Sequence, residues 1–136
     1  MGHNDFSQFH DLSPDGWQFG DSLKYHFSPA DSVVCGDLTL SIRHSNDYIY
    51  SNLFLEVTVS DSLSTRRDTV ALTLADDFGR WHGRGIGTDF QVSDTIARNA
   101  SFRRPVDIAV RHVMRDDILR HIEQVGISFV ERSSDD

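Results

Sequence analysis

The chain has 136 residues, enough for one domain with a real core and too few for two. Hydrophobic residues make up 38% and charged residues 25%, the balance of a folded soluble domain rather than of a disordered chain. With 21 acidic against 13 basic residues the formal charge is -8, so the basic footprint of a free-standing nucleic-acid binder is missing and an acidic lipid surface would repel the chain.

Met1-Gly2 runs at once into polar residues and looks like a trimmed start rather than a native one. No signal-peptide pattern is present, and no apolar run reaches the ~18 residues of a membrane span. Cys35 is the only cysteine, which excludes an intrachain disulfide and a thiolate metal cluster. Its setting, Val33-Val34-Cys35-Gly36, reads as that of a small buried thiol.

Along the chain the dominant signal is alternation with period two. Trp17 with Phe19, and Leu23 with Tyr25 and Phe27, give two weak early strands. Leu38, Leu40 and Ile42 follow, then Leu53, Leu55, Val57 and Val59, then Val70, Leu72 and Leu74. Phe90 and Val92 form a weaker run. Val106, Ile108, Val110 and Met114 precede the last one, Val125, Ile127 and Phe129. Turn residues bound these runs at Ser60-Asp61-Ser62, Ala75-Asp76-Asp77-Phe78-Gly79 and Asn99-Ala100-Ser101. Alternation of this kind marks antiparallel strands with one face to water. About eight strands at this spacing predict an all-β, two-sheet antiparallel sandwich, jelly-roll-like. Leu40, Ile42, Leu55, Val57, Leu72, Val110, Ile127 and Phe129 are expected to share its core. One stretch departs from the pattern. At 115–123, Ile118, Leu119 and Ile122 fall at helical spacing behind a possible Asp116 cap, which predicts one short helix near the C-terminus. A single domain over 1–136 is expected, with frayed ends at 1–4 and 132–136.

The chemistry-bearing residues do not assemble locally. No Gly-x-Ser-x-Gly elbow displays a nucleophile, and no pair of histidines stands at helical ligand spacing. His44, His82, His112 and His121 fall on different elements, so each reads as a surface or hydrogen-bonded histidine. Asp76-Asp77-Phe78-Gly79 lacks the alternating oxygens of a calcium loop and reads as a turn. The sequence therefore offers no catalytic, cofactor-binding or metal-ligating residues. In the segment 79–87 the alternate glycines lack the helix N-terminus of a phosphate loop, and close packing beneath Trp81 is expected instead. The polar stretch 46–52 is expected to be an ordered loop or strand edge, held by side-chain hydrogen bonds from Asn46 and Asp47 to nearby backbone. Its Tyr48 and Tyr50, with Trp17 and Trp81, would form either a sugar-stacking platform or a plug for the open end of the sandwich.

Three segments together resemble the gliding-motility lipoprotein GldH family of the Bacteroidota. They are Arg43-His44-Ser45-Asn46-Asp47-Tyr48-Ile49-Tyr50-Ser51-Asn52-Leu53-Phe54-Leu55, the run from Leu74 to Gly87 around Trp81, and Met114-Arg115-Asp116-Asp117-Ile118-Leu119 leading to Ile122 and Val125-Gly126-Ile127. Phe9 to Leu12, Gly16-Trp17 and Asp21 are similar to the family's opening strand. The resemblance implies a lipoprotein of the bacterial cell envelope, held in the membrane through an N-terminal lipidated cysteine that this chain lacks, with the domain in the periplasm. Its implied partners are other envelope proteins of the motility and secretion machinery. The family brings no catalytic residues to carry over. The leading expectation is thus a non-catalytic protein-interaction component whose surface includes Tyr48, Tyr50, Trp81 and Arg84. A carbohydrate-binding module of sandwich type is the alternative.

Overall fold

The computed structural model describes residues 4–132. Eleven strands follow one another: β1 Phe6–Asp11, β2 Trp17–Gln18, β3 Leu23–Phe27, β4 Val33–Ser45, β5 Asn52–Ser60, β6 Thr65–Thr73, β7 Arg84–Ile86, β8 Asp89–Arg103, β9 Val106–His112, β10 Ile118–Leu119 and β11 Ile122–Glu131. A five-stranded sheet runs β1-β11-β4-β8-β7, and a four-stranded sheet runs β3-β9-β5-β6. All the pairings are antiparallel.

The two large sheets enclose one core. Every residue expected in it is buried: Leu40, Ile42, Val110, Leu55, Ile127 and Phe129 completely, Val57 and Leu72 almost so. Register explains why they converge. Ile42 faces Val125 and Leu40 faces Ile127 across β4 and β11, while Val57 faces Val110 across β5 and β9. Opposed residues in an antiparallel pair share a face, so one inward residue commits its partners. Between the sheets, the Phe27 and Phe129 rings stack with centroids 5.6 Å apart, and Phe6 stacks on Phe27 at 4.5 Å.

The expected two-sheet sandwich with a C-terminal helix needs correction on both counts. There is no helix among the described residues: of those expected to form it, Ile118 and Leu119 build a third, two-stranded sheet, β10 with β2, and Ile122 opens β11. Ile118 lies opposite Gln18 and Leu119 opposite Trp17. Leu119 is buried while its neighbour Ile118 is exposed, which is the strand period and not the helical one. His121 has φ 74°, a left-handed conformation that ends any helix and lets the chain turn into β11. The Phe19 amide donates to the Asp117 carbonyl at 2.7 Å and the Ser45 amide to the His121 carbonyl at 3.0 Å, so long-range partners take the carbonyls a helix would use.

Three smaller expectations also change. Asn99-Ala100-Ser101 is no turn but lies inside β8, where Asn99 has φ 53° beside the register shifts opposite Gly36 to Thr39, as in a β-bulge. Cys35 is half-buried rather than buried, because its neighbours Val34 and Gly36 take the inward positions; its thiol donates to Asn99 Oδ1 at 3.3 Å. The ends expected to fray fall largely on 1–3 and 133–136, which lie outside the described residues. Asn4 is buried, donating to Asp31 at 2.8 Å and Glu131 at 2.9 Å, and Arg132 pairs with Asp37 at 3.0 Å.

Candidate functional site

At one end of the sandwich Tyr48 of the 46–52 loop, Trp81 just after the 76–80 turn and Phe90 of β8 meet around a histidine. His44 continues the inward series Leu38, Leu40, Ile42 on β4 and is fully buried. Its ring lies 4.6 Å from Trp81, 5.7 Å from Phe90 and 5.8 Å from Tyr48; Tyr48 is 5.8 Å from Tyr50. Nδ1 lies 2.9 Å from the Ser45 carbonyl, so the proton sits there and Nε2 carries the lone pair. Nε2 is buried without a hydrogen-bond partner among the described residues. Burial pushes the His44 pKa down, against the opposing effects of the Ser45 hydrogen bond and Asp89, so the imidazole stays neutral.

The 46–52 loop is ordered, but not by the expected side chains. Asn46 Oδ1 accepts the Trp81 indole N–H at 2.9 Å, a bond to a side chain and not to backbone. The turn is closed by Ser45, whose Oγ accepts the Asp47 amide at 3.1 Å and whose carbonyl accepts the Tyr48 amide at 3.3 Å. The Tyr48 hydroxyl donates to the Asn52 carbonyl at 2.8 Å, and the Tyr50 hydroxyl to Asp116 Oδ1 at 2.7 Å. Asp116 is therefore a loop anchor, not a helix cap. Its hydrogen bond is the main reason that the Tyr50 pKa is raised.

The 76–80 turn is a turn, as expected, organised by Asp76. Its carboxylate accepts the Phe78 and Arg80 amides at 2.9 Å and the Arg80 Nε at 3.0 Å, which holds its pKa below the usual range. Of the glycines that follow, only Gly83 lies tight against β8; Gly79 and Gly87 sit at positive φ in turns. Behind the loops, burial and the neighbouring Asp89 carboxyl push the Glu123 pKa up, partly offset by Arg43.

The structure thus brings Tyr48, Tyr50 and Trp81 together, with Tyr48 buried and the other two half-buried. Arg84 stands exposed on β7 opposite Gln91. Trp17 lies apart, buried against His112 at 5.4 Å with its indole donating to the Asp21 carbonyl. The four aromatics therefore do not form one open platform. Sequence reasoning missed His44 and also two side chains that the ordered loops push into solvent, Ile49 at 75% exposure and Phe78 at 83%. The signal for His44 was its place one period beyond Ile42. No group of three or more His, Cys, Asp or Glu side chains among the described residues is arranged to hold a metal ion.

Comparison with known proteins places the chain in a family. It is 32% identical over 72 residues to a gliding motility lipoprotein GldH homolog of Christiangramia forsetii, covering 52% of this chain and 44% of the relative. The match spans less than half the length of that relative. Among solved structures, Eiger TNF from S. frugiperda superposes with TM-score 0.39 at 8% identity over 96% of each chain. The infectious bursal disease virus VP2 subviral particle gives TM-score 0.35 at 8% identity, over 93% of this chain and 33% of that one. At such scores neither structure adds an argument. A sequence model described as GldH lipoprotein matches residues 4–129, and the chain belongs to the GldH lipoprotein family.

Proposed function

We propose that this chain is the periplasmic domain of a lipid-anchored envelope protein, and that it acts as a non-catalytic interaction component of the gliding-motility and secretion machinery. The family supports the setting. The observation that carries the interaction role is the pair of pinned loops, joined by the Trp81–Asn46 bond, that hold Ile49 and Phe78 out in water. Exposed apolar side chains on an ordered frame favour a partner, because their loss of freedom has already occurred before binding. Trp81 and Tyr50 beside the buried Tyr48, and Arg84 exposed on β7, supply the aromatic and guanidinium types that anchor interfaces. Arg80, paired with Asp76 at 3.0 Å, lies over the Phe78 ring 5.3 Å from its centroid and supports it in its exposed position.

The test is a photo-crosslinking residue at Phe78 in the lipidated full-length protein, with the same group at Phe9 on the far strand β1 as control. Crosslinks to envelope proteins from position 78 and not from position 9 are expected, together with impaired assembly in an Ile49→Ser/Phe78→Ser variant that still folds. Equal crosslinking from both positions, or a fully functional double variant, would sink this surface. A specific glycan-array signal abolished by Trp81→Ala would favour the carbohydrate reading instead.

A further inference from the structure

The sandwich gapes along one side, away from the aromatic end. β6 is the outer strand of its sheet, and β8 pairs with β7 only from Asp89 to Gln91, so most of its outer edge has no strand partner. Between these two edges lies an open cleft of about 520 Å³, within the ~300–1,000 Å³ typical of ligand clefts. Its floor is apolar, formed by Leu38, Val57, Val59, Val70, Ile96 and Phe102. Its rim is charged. Arg66 and Asp68 lie opposite Val59 and Val57, so they point to the core side of β6, and they remain exposed. Charges on that face can stay hydrated only because the sheets do not close over them.

We propose that this cleft accepts an extended peptide strand of a partner protein, with apolar residues at every second position and a carboxylate near Arg98. Two observations select a polypeptide. Both walls are strand edges whose outward N–H and C=O groups need alternating donors and acceptors, which an extended main chain supplies. The β5–β6 turn already makes this contact in miniature at one end of the cleft. There Ser62 N–H donates to the Arg103 carbonyl at 3.1 Å, and Asp61 accepts the Arg103 amide at 2.9 Å.

Charge selects the kind of peptide. Asp68 is paired with Arg66 at 3.0 Å, and the Asp61 carboxylate is taken up by the Leu63, Ser64 and Arg103 amides. The lining carries two carboxylates and two guanidinium groups; Arg98 is the one of the four that makes neither an ion pair nor a side-chain hydrogen bond among the described residues, and it is the group open to a ligand carboxylate. The Arg66–Asp68 pair also guards the edge against indiscriminate pairing with other copies. This surface is distinct from the Ile49–Phe78 tip and stands or falls separately.

A displayed library of random linear peptides is selected on the 136-residue domain. Binders are counter-screened on Ala97→Trp, which fills the cleft, and Arg98→Glu, which reverses its charge; amide spectra establish that both variants fold. Enriched peptides should alternate apolar residues and carry Asp or Glu. They should lose about tenfold or more in affinity on either variant, and their binding should shift β6 and β8 amides. N-methylation of every second peptide amide should abolish binding. If Ala97→Trp does not fold, Arg98→Glu and the N-methylated peptides decide alone. No enrichment, peptides that bind the folded variants or survive N-methylation unchanged, or shifts mapping to Trp81 and Phe78 would overturn the proposal.

Discussion

The Tyr25 hydroxyl on β3 donates to the Val125 carbonyl on β11 at 2.7 Å, a buried hydrogen bond from one large sheet to the other. Burial drives the Tyr25 pKa far up, so the phenol remains a donor throughout the pH range of folding. Tyr25→Phe keeps the ring and removes the donor. A loss of about 1–2 kcal/mol is expected, from the bond and the imperfectly satisfied carbonyl it leaves. Urea midpoints check it; an unchanged midpoint would mean that the inter-sheet bond adds nothing.

Two glycines separate backbone from side-chain crowding. A Cβ on Gly36 would lie 2.2 Å from the Val130 carbonyl oxygen, part of the paired strand β11. A Cβ on Gly126 would lie 2.2 Å from Cδ2 of Phe9, whose ring covers it from β1 and is 45% exposed. Gly36→Ala must displace backbone and should cost about 3 kcal/mol; Gly126→Ala needs only a ring rotation and should cost about 1 kcal/mol. Thermal unfolding of both variants checks the order, and a reversed order would contradict the packing described for β11.

Much of this architecture is legible in the sequence, because period two marks the inward residues directly. The same rule carried one step further finds both buried histidines: His44 follows Leu38, Leu40, Ile42, and His112 follows Val106, Ile108, Val110. Other features depend on distant partners and leave no local mark. Ile118, Leu119 and Ile122 fit a helix by spacing, and only the pairing of Leu119 with Trp17 makes them strand, turn and strand. The first half of β6 is hidden since Arg66 and Asp68 occupy core-side positions at the gaping edge. Tyr48, Tyr50 and Trp81 stand out by residue type. Their assembly does not, because it is made by the Asn46–Trp81 and Tyr50–Asp116 bonds across 35 and 66 residues.

The buried histidines make stability depend on pH. Burial lowers both pKa values below 6.5, offset in part by hydrogen bonds to Ser45 for His44 and to Trp17 for His112. The unfolded chain therefore binds protons more readily. The histidine contribution is complete above pH ~6.5 and is lost as pH falls through that value toward the folded pKa values. Glu123, raised by burial and by Asp89, acts in the opposite sense: its contribution is present below its unfolded pKa and is lost as pH rises through the folded one. The Glu123→Gln variant should thus show the histidine effect more steeply. His112 uses both nitrogens, to the Trp17 carbonyl at 3.0 Å and from the Met114 amide at 3.3 Å, whereas His44 Nε2 is already unpaired. At pH ~7.5, His112→Phe should cost about 2–3 kcal/mol and His44→Phe under about 1 kcal/mol. Denaturant midpoints between pH ~5 and ~7.5 check the slope, and a flat profile in the parent protein would refute it.

The loops that carry the proposed surface offer the last prediction. Trp81 donates to Asn46 and Tyr50 to Asp116, so each hydrogen bond ties a turn to a neighbouring segment while the ring itself packs against the margin of the core. Trp81→Phe and Tyr50→Phe keep most of the ring packing around His44 and delete only the donors. Water can reach Asn46, which is exposed, so global stability should fall by less than about 1 kcal/mol in each case. Local order should respond more. The Asp47 amide, held by Ser45 Oγ, and the Tyr48 amide, held by the Ser45 carbonyl, should exchange with deuterium several-fold faster, while core amides of β4 and β11 stay unchanged. If Ile49 and Phe78 bind a partner because the loops hold them ready, both variants should also bind it more weakly with their exposed residues intact. Unaltered exchange at 47 and 48 would show that the two bonds do not order the loop, and the preorganised surface would lose its physical basis.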